Sequence, residues 1–495
     1  MRESGILMPI AGLSSKYGIG CFSKEAYEFA DKLAAAGQKY WQILPLGPTG
    51  YGNSPYQSFS TFAGNPYYID LEKLIEEGFL LKEECTRCDF GMEETKIDYE
   101  KLYNYRYSLL RKAYDRWNLT EDNKFVLFCQ ENDSWLYNYT LYMAIKDSTN
   151  GASWDMWEDK LRMRDVETLM SIAEELEYDM DFYAFLQYKF KEQWSKLKKY
   201  INDKGIKIIG DIPIYVAFDS SDVWANPELF LLDKDRMPIE VAGCPPDAFT
   251  ALGQLWGNPL YEWGYHKQTG YKWWIERMRW CCETYDVVRI DHFRGFDEFY
   301  CVPFGHETAE HGLWRKGPAI ELFRSIENEL GILAVIAEDL GYITDSVREL
   351  LKETAYPGMK VLQFAFGSGE NNIYLPHNYN DSNCVVYTGT HDNDTLNGWY
   401  KAMSDLERHN INMYLNNYYT PDDEVNWDFI LLAQRSIADL CIVPLQDYLG
   451  LGNEARLNFP STLGGNWEWR MKKDAFNEEL ADKIYKITKS VARCK

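Results

Sequence analysis

Four short apolar runs in this 495-residue chain end on an acidic side chain or shortly before one. Ile206–Ile209 is followed by Gly210-Asp211, and Val287–Ile290 by Asp291. Ile332–Ala337 is followed by Glu338-Asp339, and Cys384–Tyr387 by Thr388-Gly389-Thr390-His391-Asp392. An acid after a single strand ordinarily caps the next helix. Four of them on separate strands fit a shared site better than four independent caps. Paired carboxylates are what glycosidic bond chemistry requires: one acid protonates the leaving oxygen, and one carboxylate attacks or stabilises the oxocarbenium-like carbon. Arg289 stands two residues before Asp291, so strand alternation puts both on one side. A cation at that position keeps Asp291 ionised. His391, next to Asp392, suits either a donor to a sugar hydroxyl or a satisfied structural histidine.

Such a site needs elements that bring the four strand ends to one face. The recurring unit is a helical pattern, a glycine or short turn, then four to six apolar residues. Ser23–Ala36 carries Ala26, Phe29, Ala30, Leu33 and Ala34 on one helix face, then Gly37, then a strand over Tyr40–Leu46. Phe182–Ile201 repeats the pattern ahead of Ile206–Ile209, and Tyr271–Tyr285 and Pro318–Leu330 do so ahead of the next two strands. Lys360–Phe364, Cys384–Tyr387 and, after a helix at Phe429–Leu440, Cys441–Leu445 complete the series. With a first strand near Ile6–Met8 there are about eight strands alternating with helices, which predicts an α/β chain closed into a (β/α)8 TIM barrel. In that fold the strand ends share the catalytic face. The chain is longer than a plain barrel, so a single catalytic barrel over 1–495 with two insertions is expected. One, Lys82–Met180, reads as a mostly helical subdomain flanking the barrel mouth. The other, Phe218–Glu262, is rich in Pro and Gly and reads as a loop insertion over the cleft.

Longer motifs carry a resemblance. Val288-Arg289-Ile290-Asp291-His292-Phe293-Arg294-Gly295, Ile336-Ala337-Glu338-Asp339-Leu340-Gly341 and Gly389-Thr390-His391-Asp392-Asn393 resemble the active-site segments of the α-amylase superfamily. Pro245-Pro246-Asp247, Gly253–Tyr261, Trp41–Pro48 and Ser54-Pro55-Tyr56-Gln57 resemble, more narrowly, the amylomaltases or 4-α-glucanotransferases of glycoside hydrolase family 77. The resemblance runs from about Gly5 to Arg470 and departs most in Lys82–Met180. It implies Asp291 as nucleophile, Glu338 as general acid/base and Asp392 as the carboxylate that holds and distorts the donor sugar. Asp211, Arg289 and His391 would support the donor site, and Tyr56, Gln254, Trp256 and Phe364 would line the glucan chain. The Ala242–Leu260 segment resembles the family's loop arching over the cleft. The implied activity is transfer of an α-1,4-glucan segment to a sugar 4-hydroxyl. An α-1,4-glucan hydrolase would use the same carboxylates, and a glucan-binding protein on an inactive barrel would be expected to lack at least one.

Composition agrees with a neutral ligand. Against 52 Lys and Arg stand 76 Asp and Glu, a formal charge of −24, which argues against nucleic acid or an anionic membrane as partner. Aromatic residues reach 16%, enough to fill a core and still supply rings for stacking on sugars. No apolar run approaches the ~20 residues of a membrane-spanning helix. The opening residues do not read as a secretory signal, and the odd count of 11 cysteines suits reduced thiols, so a cytoplasmic location is expected. His306 and His311 in His306-Glu307-Thr308-Ala309-Glu310-His311 are five apart and diverge by ~140° on a helix, unlike a zinc protease pair. Cys85-Thr86-Arg87-Cys88 has redox spacing without a second pair. Gly450-Leu451-Gly452-Asn453-Glu454-Ala455 lacks the strand, helix and distal acid of a dinucleotide site. The expected partners are α-1,4-glucans and maltooligosaccharides, with no metal and no cofactor.

Overall fold

The computed structural model describes residues 2–50, 52–118, 122–246, 250–341, 343–462 and 464–494. Asp247 of the Pro245-Pro246-Asp247 run lies outside the described residues. Among the described residues twelve strands occur in chain order: β1 (Glu3–Leu7), β2 (Tyr40–Gln42), β3 (Lys207–Pro213), β4 (Glu240–Cys244), β5 (Gln254–Pro259) and β6 (Val287–Asp291), followed by β7 (Glu298–Pro303), β8 (Leu313–Lys316), β9 (Val335–Ala337), β10 (Gly358–Val361), β11 (Cys384–Tyr387) and β12 (Leu440–Pro444). Eight of these form one parallel sheet in the order β10-β11-β12-β1-β2-β3-β6-β9, with helices between them. This is the (β/α)8 barrel that the strand–helix alternation predicts.

The sheet closes through a joint unlike its ladders. Between β9 and β10 the Ala337 amide donates to the Pro357 carbonyl at 3.0 Å. The next bond comes from a side chain: Asp339 Oδ1 accepts the Met359 amide at 2.6 Å. Asp339 can reach that amide because Gly358 has no Cβ; one placed there would meet Asp339 Oδ2 at 2.6 Å. The carboxylate thus satisfies a backbone donor that a strand neighbour would otherwise take.

The helices follow from their apolar stripes. Lys24–Ala35 buries Ala26, Phe29, Ala30 and Leu33. Glu177–Asp203, longer at both ends than its core pattern, buries Phe182, Leu186, Phe190, Trp194, Leu197 and Ile201. The Trp194 indole N–H is satisfied by the Thr284 carbonyl at 3.1 Å. Over 82–180 the regular elements among the described residues are helices, the longest being Tyr99–Trp117 and Asp133–Ser148.

Three strands are displaced from their apolar runs. The run Tyr40–Leu46 is strand only to Gln42, since Pro45 has no donor for a ladder. The run Ile332–Ala337 enters the sheet only at Val335, and Ile332 is 88% exposed. The run Lys360–Phe364 belongs to β10 only to Val361, and Leu362–Phe364 turn away as a 3-10 helix. The segment 218–262, expected as loop, holds β4 and β5. These pair with β7 and β8 in an antiparallel sheet of order β5-β4-β7-β8. Charge pairs brace its strands, Lys316 to Glu298 and Arg315 to Glu240, each at 2.8 Å. The run that forms β8 is exposed at all four residues, so it has no apolar alternation to announce it.

The closing joint makes a prediction. Gly358→Ala should destabilise the protein by about 1–3 kcal/mol, as overpacking does, read as a lower thermal midpoint. Because the three nearest atoms to the new Cβ all belong to Asp339, its effect combined with Asp339→Ala should be clearly less than additive.

Candidate active site

β3 and β6 are hydrogen-bonded in parallel, with Asp211 opposite Arg289 and Pro213 opposite Asp291. Asp211 and Arg289 therefore point to the same face, here the barrel interior, where they are 0% and 3% exposed. Gly210 makes room beside Asp211, since a Cβ there would fall 2.1 Å from the Tyr285 ring. Arg289 Nη1 donates to both Asp211 oxygens at 2.7 and 2.6 Å and lies 3.1 Å from Asp291 Oδ1. Its Nε meets Met359 Sδ at 3.4 Å. Burial disfavours this guanidinium's charge, but the carboxylates of Asp211 and Asp291 outweigh it and hold the group protonated.

The second pair of strand ends joins from both sides. Tyr56 donates its hydroxyl to Asp211 Oδ2 at 2.8 Å and lies 3.4 Å from His391 Nδ1. The Tyr56 and His391 rings stack at 5.0 Å with an 18° interplanar angle. His391 Nε2 in turn faces Asp392 Oδ2 at 3.4 Å. The turn carrying His391 and Asp392 is fixed by Asn393, whose Oδ1 accepts from the Thr390 amide and hydroxyl, both at 2.9 Å. Asp392 is the most open of these acids, its side chain 45% exposed.

Glu338, just past β9, is held against the end of β6. Its amide donates to the Ile290 carbonyl and its carbonyl accepts the Phe293 amide, each at 3.1 Å. Its Oε2 accepts the amide of His292, the residue after Asp291, at 2.6 Å, and Oε1 accepts the Leu340 amide at 2.9 Å. His292 reaches that position in a left-handed backbone conformation, φ 53°, uncommon for a side-chain-bearing residue and often found at functional sites. Burial and the Asp291 charge push the Glu338 carboxyl far above the glutamate range. Burial raises Asp291 too, but Arg289 opposes it, so the proton of the pair resides on Glu338. Burial, helped by Arg294, lowers the His292 imidazole to about 3 and keeps it neutral at physiological pH.

Seven predicted residues thus form one connected group: Tyr56, Asp211, Arg289, Asp291, Glu338, His391 and Asp392. Trp256 reaches its edge, with its ring 4.8 Å from and nearly perpendicular to His292. Gln254 is linked to the group through Trp256, accepting its indole N–H at 3.1 Å. Phe364 packs on Tyr374 at 5.8 Å, and Tyr374 lies close enough to Glu338 and Asp339 for their charges to raise its phenol beyond what burial does.

Several neighbours have no signal in the motifs. Asn458 Nδ2 donates to Asp392 Oδ1 at 2.7 Å, and Arg456 Nη2 donates to the Asp392 carbonyl at 2.7 Å. Trp467 packs on Tyr56 and His391 at 5.8 and 5.9 Å. All three residues lie far along the chain from the acids they support. Among the described residues no group of three His, Cys, Asp or Glu side chains is placed to hold a metal ion. No helix among them is long and apolar enough to cross a membrane.

This geometry has close counterparts. The sequence model of the family described as 4-alpha-glucanotransferase matches residues 8–475. A 4-alpha-glucanotransferase of Clostridium butyricum is 50% identical over 489 residues, covering 98% of this chain and 100% of that protein. One from Streptococcus pneumoniae serotype 4 is 47% identical over 490 residues, covering 98% of this chain and 96% of its own. The solved amylomaltase from Streptococcus agalactiae, in complex with acarbose, superposes over 100% of both chains with a TM-score of 0.97 and 39% identity. With matches spanning the barrel, its insertions and every strand-end acid, the chain belongs to the 4-alpha-glucanotransferase family.

Proposed function

We propose that this enzyme transfers α-1,4-glucan segments by two displacements at C1 of the donor sugar. In the first, the Asp291 carboxylate attacks C1 while Glu338 gives its proton to the departing glycosidic oxygen. The C1–O bond of the glucan breaks and a β-linked glycosyl ester forms on Asp291. In the second, Glu338, now a carboxylate, removes the proton from an acceptor 4-hydroxyl, whose oxygen attacks C1. The ester breaks, Asp291 is released and the new bond has the α configuration again. The observation that carries this assignment is the unequal treatment of two neighbouring carboxyls. Arg289 stands 3.1 Å from Asp291 and favours its anion, whereas Glu338 is buried beside that negative charge and favours its acid form.

The surrounding groups take roles consistent with this. Asp392, held by Asn458 and faced by His391, holds and distorts the donor sugar. Asp211, bonded by Tyr56, fixes Arg289 beneath the donor site. Trp256 and Phe364 line the path of the glucan, the former with Gln254 at its indole nitrogen. The substrates are α-1,4-glucans and maltooligosaccharides, and the chemistry calls for no metal or organic cofactor. The helical segment 82–180 flanks the barrel mouth, and the segment 218–262 covers the cleft.

Incubation with maltotriose should yield glucose together with longer oligosaccharides. Exclusive formation of shorter sugars would mean that water is the acceptor. Glu338→Gln should lower turnover of maltotriose by about 10²–10⁴-fold, the usual worth of general acid–base help. With α-glucosyl fluoride, whose leaving group needs no proton, the same variant should accumulate a glycosylated Asp291 peptide detectable by mass. Asp291→Asn should give no such adduct, and a label on Glu338 or Asp392 would overturn the assignment.

The pH dependence follows from the same pair. Activity requires Asp291 deprotonated, so kcat/KM rises as pH passes upward through its pKa. It requires Glu338 protonated, so kcat/KM falls as pH passes upward through the higher pKa of Glu338. The bell should therefore sit above the range of ordinary carboxylates on both limbs. Glycosylation of Glu338→Gln by glucosyl fluoride should retain the rising limb and lose the falling one.

A further inference from the structure

Asp447 is a buried acid that the two displacements leave without a role. It is 2% exposed, and acids so enclosed are ordinarily paired with a cation. Burial pushes its carboxyl up to about 7, and the groups that pull it back are the Leu396 amide and the Thr388 hydroxyl. Asp447 stands on the short helix Leu445–Tyr448, which follows β12 directly. The neighbouring strand β11 ends one residue before Thr388 and leads into the loop that carries His391 and Asp392.

One carboxylate joins the two ends of that loop. Oδ2 accepts the Thr388 hydroxyl at 2.6 Å, where the loop leaves β11. Oδ1 accepts the Leu396 amide at 2.8 Å, where the loop enters the helix Leu396–Ala402. Thr388 and Leu396 are both fully buried, so neither donor can turn to water instead. Asp447 is itself fastened through its carbonyl, which accepts Asn426 Nδ2 at 2.6 Å. The stretch of chain that follows supports the middle of the loop. Asn453 Nδ2 donates to Asp394 Oδ2 at 2.7 Å, and Arg456 and Asn458 hold Asp392. Asp392 lies midway, four residues beyond Thr388 and four before Leu396. Fixing both ends of so short a loop fixes the reach of the acid at its centre.

We propose that Asp447 is a positioning residue for the transfer reaction: by tying Thr388 to Leu396 it holds Asp392 where that acid meets the donor sugar in the transition state. The role of Asp392 rests on the transferase reading above. Asp447 is enclosed and touches no reacting atom, so it acts only through the loop. Asp392 needs such support because its own side chain is 45% exposed and has little packing to keep it in place. A misplacement of ~1 Å at a group of this kind costs about 10²-fold in rate.

Asp447→Ala removes both tethers and should lower kcat for maltotriose by about 10–100-fold, with KM changed less than about 2-fold. Asp447→Asn keeps an oxygen for the Leu396 amide and offers an N–H to the Thr388 oxygen, so it should recover most of the loss. Two readouts separate positioning from a general loss of folded enzyme. In the Asp392→Asn background, Asp447→Ala should lower kcat by less than about 2-fold further, since the loop then carries no acid to misplace. In the Glu338→Gln background with α-glucosyl fluoride, Asp447→Ala should slow formation of the Asp291 adduct and leave its final fraction unchanged. Full activity of Asp447→Ala, or no recovery in Asp447→Asn, would overturn the proposal. So would a loss that multiplies undiminished in the Asp392→Asn background, or a lower final adduct fraction formed at an unchanged rate. Should Asp447→Ala not fold, Thr388→Val cuts one tether at nearly the same size. It should then show the same pattern with a several-fold loss, and its full activity would count against the proposal equally. If Glu338→Gln alone gives no adduct, the transferase mechanism falls instead, and the cycle with Asp392→Asn still decides the role of Asp447.

Discussion

The active centre depends on a guanidinium enclosed in the barrel. Arg289 has almost no contact with water, and an unpaired charge so placed would cost several kcal/mol. It persists because β3 delivers Asp211 directly opposite, and Arg289 Nη1 donates short hydrogen bonds to both of its oxygens. The converse also holds: Asp211 is fully buried, and the guanidinium is the cation it faces there. Once this pair is in place, the remaining reach of Arg289 falls on Asp291, two residues further along the same strand. A structural ion pair thereby sets the protonation of the group at the strand's end. Tyr56 and Met359 close off the pair's other contacts, from the first long loop and from the far side of the barrel respectively.

Glu338 is set by a different constraint, the way β9 ends. The strand contributes only three residues to the sheet, and its continuation is gripped by backbone bonds to Ile290 and Phe293. The carboxylate then folds back onto the amide of His292 rather than toward Arg289. Two acids that share a pocket are thus held by different donors, one by a cation and one by neutral amides. Burial and the adjacent Asp291 charge raise the proton affinity of Glu338, whereas Arg289 restrains the rise that burial gives Asp291.

The strand-end acids were legible because each closes a short apolar run, and period-two alternation was enough to couple Arg289 to Asp291. Barrel strands are short and buried on both faces, so their apolar runs survive even where boundaries shift by several residues, as at Ile332–Ala337. The second sheet was not legible. β8 is solvated on both sides and β4 contains Gly243, so neither presents alternation over a useful length. The support of Asp392 by Asn458 was equally hidden, since an amide 66 positions away carries no local pattern. The aromatic excess hinted at stacking surfaces, but only the folded arrangement gathers Phe62, Trp135, Trp273 and Trp280 from separate stretches into one groove.

The joint between β9 and β10 has a bearing on how this barrel can change over generations. A backbone ladder is indifferent to side chains, so strand residues can be exchanged freely as long as they pack. The closure through Asp339 and Gly358 has no such tolerance, because the acid fits only where the glycine leaves space. Neither position can drift alone without loosening the ring beside Glu338. The two positions are coupled by this fit, and replacement of the joint by an ordinary ladder requires both to change together.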